Sequence, residues 1–256
     1  MYILINMRLF LLILLLLTFT GPLMVLLSGR IDFHADWRTA NRESAHIAPD
    51  PRTHPEAVIQ VYAARTFNWR GLFAVHTWIA VKPKQATHYT VYQSIGWRLL
   101  HHLPPVTIAN DIPDRYWFNQ TPLILLDIRG EAAEKIIPQI EKAAAHYPYN
   151  NQYDYWPGPN SNTFIAYLAR HVPAMRLTLP SLAIGKDYLP DSQFFAPAVS
   201  GTGYQVSFYG LLGITLAREE GLEINLLGLV YGFSPLQMTL KLPGLGDIKW
   251  DKIVGF

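Results

Sequence analysis

The chain has 256 residues, half of them hydrophobic, with 21 Lys and Arg against 19 Asp and Glu for a formal charge of +2. That length supports one sizeable core or at most two small ones, and the scattered, balanced charge leaves no electrostatic footprint for nucleic acid. The absence of cysteine excludes disulfides, cysteine metal sites and a thiol nucleophile.

The first unit is the charge-free run LFLLILLLLTFTGPLMVLL, residues 9–27. At 1.5 Å per residue it is long enough for a hydrocarbon core of ~30 Å. Its length and the poor small-x-small pattern at Leu27-Ser28-Gly29 favour an uncleaved anchor over a cleaved signal peptide. Arg30, Arg38 and Arg42 follow the span and only Arg8 precedes it, so literal charge counting places the large domain in the cytoplasm. A short tail with one arginine ahead of the span instead resembles an export signal. The expectation is a single-pass protein of the bacterial inner membrane with its domain on the periplasmic side.

Residues 30–56 are polar, carry prolines 49, 51 and 55, and read as a linker along the domain surface. Residues 57–65 open the folded part as a strand. Residues 71–83 and 87–97 are rich in strand formers and are joined by the turn-like KPKQA, which predicts a hairpin. PLILLDIRG, residues 122–130, reads as another buried strand. EAAEKIIPQIEKAAAHY, residues 131–147, is a helix with acids first and Lys142 and His146 last, matching the helix dipole, and Pro138 is expected to kink it.

YWPGPNSNTFIAYLAR, residues 155–170, sets helix-capping residue types before apolar positions Phe164, Ile165, Leu168 and Ala169. Ser161 taken alone reads as a helix cap. Beyond residue 180, YQVSFYGLLGITLA, GLEINLLGLVYGF and LQMTLKLPGL read as successive strands. The expected class is α+β: an antiparallel sheet with packed helices, followed by a β-rich C-terminal segment. The expected organisation is an anchor at 1–29, a linker at 30–56, an α+β core at 57–180, and the β-rich segment at 181–256 packed on that core.

His76 lies mid-strand among apolar residues, where a lone histidine is most often a satisfied core residue. Paired with a hydroxyl at a helix N-terminus, it supplies the parts of a nucleophile–base couple with backbone N–H groups for an oxyanion. A third group must orient the imidazole, and Gln93 or Tyr92 on the next strand can do so, with Gln93 ranked first. Tyr153, Tyr155 and Trp156 either wall a cleft or simply pack. The adjacent His101 and His102 point to opposite faces of an extended chain and make a poor chelate. Asp127 and Arg129 suit a structural ion pair. No phosphate loop or dinucleotide fingerprint occurs, and neither a cofactor nor a metal is expected.

HTW on a strand followed by PNSNTFIAYL resembles circularly permuted papain-fold hydrolases related to the NlpC/P60 group. There a histidine strand precedes a helix with an Asn-Cys-x-x-Phe motif, matched here by Asn160, Ser161 and Phe164, with serine in the cysteine's place. IQVYAAR, WRG…VHTW, LLDIRG and YWPGPNSNTF further resemble the bacterial domain-of-unknown-function family 3750, and the likeness extends through EGLEINLLGLVYGF. The resemblance implies a Ser161–His76–Gln93 amide or ester hydrolase or acyltransferase of the cell envelope. Its substrate would be a peptide, a glycopeptide or a lipid, and its anchor would be held in the bilayer. Because serine is a far weaker acid than cysteine, the alternative is a catalytically silent binding module on the same fold.

Overall fold

A computed structural model describes residues 2–249. The N-terminal run forms one helix, α1 (Tyr2–Leu27), and its Asn6–Leu27 portion is long and apolar enough to cross a membrane. It does not stand clear of the domain, as an isolated span would. Gly21, Pro22 and Val25 are buried. The helix closes on residues 243–245, so a Cβ at Gly21 would collide with the Pro243 carbonyl. The Thr18 hydroxyl meets the Tyr231 hydroxyl at 2.5 Å.

The linker lies along the domain. Asp114 gathers it by accepting from Ser44 Oγ and from the N–H groups of Ile47 and Ala48.

The core sheet contains β1 (Val58–Arg65), β2 (Val75–Lys82), β3 (Thr90–Ser94), β4 (Val106–Asn110) and β5 (Leu123–Arg129), in the order β4-β3-β2-β1-β5. All its pairings are antiparallel. β1 and β2 sit centrally and are buried along their whole lengths, as their unbroken apolar runs require. β5 is corrected from a buried strand to a half-exposed edge. Its Asp127–Arg129 ion pair, at 2.9 Å, decorates that edge.

One face of the sheet carries α2 (Glu131–Ala145) and α3 (Ser161–His171). α2 runs as one helix through Pro138 and buries Ile136, Ile137, Ile140 and Ala143 at three- and four-residue steps. These residues join Val75, Ile79, Phe164, Ile165 and Leu168 in the main core. The opposite face holds a second, aromatic core of Tyr62, Trp78, Trp117 and Phe118.

The first two C-terminal runs expected as single strands each fold into a hairpin, and the third forms one strand that pairs with a further strand beyond it. With a short leading strand, they make a seven-stranded antiparallel meander: β6 (Phe195–Pro197), β7 (Gly203–Phe208), β8 (Leu212–Ala217), β9 (Gly221–Leu226), β10 (Leu229–Ser234), β11 (Thr239–Leu242) and β12 (Gly246–Lys249). Its register makes rows across the sheet. Tyr204, Leu216, Leu222, Phe233, Leu240 and Ile248 pair in sequence on one face. Gln205, Thr215, Glu223, Gly232, Lys241 and Asp247 do so on the other. The polar row faces inward: Gln205, Thr215, Glu223 and Lys241 are buried, whereas Tyr204, Leu216, Leu222 and Phe233 are exposed. This inverts the usual alternation of a one-sided sheet.

Candidate functional site

The segment leading into α3 turns through cis peptides at Trp156–Pro157 and Gly158–Pro159. Asn160 is the helix cap. Its side chain accepts from the N–H groups of Asn162 (2.9 Å) and Thr163 (3.2 Å), and the Thr163 hydroxyl accepts in return from the Asn160 N–H at 3.1 Å. Gly185, at φ +98°, has no Cβ because the Asn160 amide fills that space.

The capping reading of Ser161 is therefore corrected. Ser161 is the first residue inside the helix, and its hydroxyl is not used to close the helix end. Asn162 locks this helix start to the strand of His76. Its amide donates to the Val75 carbonyl (3.0 Å) and to the Ile184 carbonyl (2.8 Å), and its oxygen accepts from Thr77 Oγ1 at 2.9 Å.

Thr77 thus faces α3, and His76, one residue earlier, points to the sheet's other face. There its ring lies on Trp117, with centroids 3.6 Å apart and planes at 10°. The β2–β3 pairing runs from Ile79↔Tyr92 to Val81↔Thr90 and opens before His76. At that open end of the sheet, His76 and Ser161 line one cavity of about 1280 Å³. No hydrogen bond joins the two among the described residues.

Gln93 shares the face of His76, whereas Tyr92 turns into the helix-covered core. The Gln93 amide oxygen stands 3.4 Å from His76 Nε2. With that oxygen as acceptor, Nε2 carries the proton and Nδ1 keeps the lone pair. Burial drives the imidazole pKa down to about 3, against a small upward pull from Gln93. The ring is neutral at physiological pH, and among the described residues no carboxylate lines the cavity to stabilise its charged form.

Burial pushes the Tyr153 pKa up to about 12, against a downward pull from the hydroxyl and N–H of Ser161. Tyr153, Tyr155 and Trp156 all line the cavity. Trp156 is held there by its indole N–H, which donates to the Leu227 carbonyl at 2.8 Å.

Several lining residues were not foreseen. Trp37, Arg38 and Arg42 come from the linker, and Trp117 comes from a loop 41 positions after His76. Arg42 lies over the Phe118 ring at 4.3 Å, and Arg70 over Tyr155 at 5.3 Å. Aromatic rings and arginines therefore dominate the cavity wall. His101 also lines the cavity. Among the described residues no group of three or more His, Asp or Glu side chains is placed to hold a metal ion.

Fold and site together define a class: a mixed α+β protein with antiparallel sheets and an apolar N-terminal helix, in which a histidine strand and a serine-led helix meet at an aromatic cavity. The family model described as "Protein of unknown function (DUF3750)" matches residues 56–188, just over half of the chain. The chain belongs to that family. No curated protein and no solved structure matches the chain.

Proposed function

We propose that the chain is a membrane-anchored, papain-like hydrolase or acyltransferase of the bacterial cell envelope, acting on an amide or ester. The Ser161 oxygen attacks the carbonyl carbon while its proton passes to Nδ1 of His76. The same proton then leaves with the departing amine or alcohol, and water or a second nucleophile releases the acyl group from Ser161. Asn160 takes the N–H groups of Asn162 and Thr163, so the Ser161 N–H, turned from Tyr153, is the α3 donor left for the developing oxyanion. Gln93 holds the imidazole tautomer.

One observation carries this reading. Asn160 performs the capping, so the Ser161 hydroxyl stands uncommitted to the helix in the cavity that also holds His76. The wall of aromatic rings with Arg38, Arg42 and Arg70 supports a substrate with an apolar body and an anionic group. The packing of Gly21, Pro22 and Val25 against the domain supports a retained α1. We take the domain to lie on the periplasmic side of the inner membrane, and reporter fusions active only in the cytoplasm would reverse that orientation.

A second reading, a binding module without catalysis, is favoured by the imidazole pKa near 3 and by the engagement of Ser161 with Tyr153. A general base works best with a pKa near the operating pH. A serine-directed fluorophosphonate, with the adduct mapped by mass spectrometry, separates the two readings. Labelling at Ser161 that is lost in His76→Ala supports the enzyme. An unlabelled Ser161 in the folded protein supports the binding module.

A further inference from the structure

The C-terminal sheet wears its apolar residues outside. The paired row from Tyr204 to Ile248 contains no charge. Neither does the next outward row, Phe195, Val206, Ile214, Ile224 and Tyr231. Leu216 is 68% exposed and Ile214 55%. Six-residue strands are ~20 Å long and seven strands ~29 Å wide, so the face is on the order of 600 Å². That reaches the top of the ~300–600 Å² range of the largest apolar patch on an ordinary monomer. The buried row behind it carries Glu223 and Lys241, so the apolar residues have not simply been left over from a core.

What covers this face is indicated by α1. The helix meets the outward row at Tyr231 through Thr18, and crosses the β11–β12 turn with Gly21 and Pro22. The charge-free residues ahead of that contact, 9–17, span only ~14 Å of a hydrocarbon core ~30 Å thick. A membrane-spanning α1 must therefore keep residues 18–27 within the bilayer as well. Whatever is packed against Thr18 and Gly21 is carried to the membrane with them.

We propose that the outer face of the C-terminal sheet lies against the bilayer that holds α1, as a second membrane contact of the same protein. This rests on α1 being a retained membrane helix. At the end that carries the β11–β12 turn the sheet also reaches the cavity, where Leu227 and Leu229 of the β9–β10 hairpin form part of the wall. The docked face thereby brings the cavity close to the lipid.

The chain has no cysteine, so single introduced cysteines give unique spin-label sites. Leu12→Cys, Ile214→Cys, Leu216→Cys and Lys135→Cys, each in the full chain in phospholipid vesicles, are compared for collision with oxygen and with a water-soluble nickel complex. Labels at 12, 214 and 216 are expected to be oxygen-rich and nickel-poor, and the label at 135, on the exposed side of α2, the reverse. If position 12 is in lipid while 214 and 216 are as nickel-accessible as 135, the sheet stands off the membrane and the inference fails alone. If position 12 is itself nickel-accessible, the anchor reading fails and takes the inference with it. Labels at 214 and 216 shielded from both reagents, with spin–spin broadening removed by unlabelled protein, would show a second copy covering the face and would also overturn it.

Discussion

Glu223 is the carboxylate on which the inward face of the C-terminal sheet depends. It is 2% exposed and accepts from Lys186 at 2.6 Å and Lys241 at 2.5 Å, while Lys186 also meets Asp187 at 2.9 Å. The four charges cancel. Burial pushes the Glu223 pKa up, but the two ammonium groups outweigh it and hold the carboxyl below its usual range. Burial likewise opposes the charge of Lys186, and its two carboxylates outweigh that too, raising its pKa.

Glu223→Gln keeps the shape and leaves two buried ammonium groups with one carboxylate. Its amide can accept from one lysine but turns a donor toward the other. Breaking a buried pair from one side costs ~3–5 kcal/mol, which for a domain of this size is roughly 6–20 °C in Tm. Adding Lys241→Met restores neutrality, so the double variant should recover at least ~1 kcal/mol relative to the sum of the singles. Thermal and urea unfolding of the full chain in detergent, followed by tryptophan fluorescence, measures all three. Single shifts under ~2 °C, or singles that add to the double within ~0.5 kcal/mol, would refute the network. The sign with pH follows from the lowered carboxyl. Its contribution is present above the unfolded value of ~4.3 and is lost as pH falls through the folded one. Glu223→Gln should lack that acid limb.

Because Asn160 rather than Ser161 closes α3, Asn160→Ala should cost about 2 kcal/mol, a cap plus a buried hydrogen bond. Ser161→Ala should cost no more than ~1 kcal/mol, the hydroxyl's contact with Tyr153, and equal losses by chemical denaturation would contradict the capping assignment. The His76 imidazole should show no NMR titration between pH 5 and 8, and a midpoint near ~6.5 would place it in solvent rather than on Trp117. With its folded pKa lowered to about 3, the neutral ring contributes stability above ~6.5 that is lost as pH falls from there toward 3. His76→Gln should flatten that part of the stability profile.

The core sheet was legible in the sequence because β1 and β2 are buried on both faces and so read as unbroken apolar runs bounded by turns. β5 misled for the same reason. LILL is as apolar as a buried strand, and nothing local shows that it has no neighbour on one side. The β7–β8 and β9–β10 hairpins each read as one strand because their turns, such as YGL between β7 and β8, carry glycine among apolar residues rather than a polar break. The alternation there was visible, but not which face was inside, since period two is the same for an inverted sheet.

At the site, His76 and Ser161 could be paired because each sits at a recognisable place, mid-strand and at a helix start. The register resolves Gln93 from Tyr92 by parity, which needed the hairpin itself. Trp117 and Arg42 reach the cavity from loops and Arg70 from a short 3₁₀ helix at Asn68–Leu72, and no periodicity marks them. The identity of the cap could not be read from Asn-Ser-Asn, three capping types in succession, until the hydrogen bonds of Asn160 distinguished them.

The central claim is that the cavity activates whatever nucleophile stands at position 161. Ser161→Cys tests it most directly, through the rate of alkylation by iodoacetamide as a function of pH. If the cavity brings His76 to a thiol at the α3 N-terminus, that thiol should show an apparent pKa well below the reference of ~8.5, and adding His76→Ala should return it toward that value. A thiol that alkylates slowly, with an unshifted or raised pKa and no response to His76, would show that the site activates nothing and that the cavity only binds.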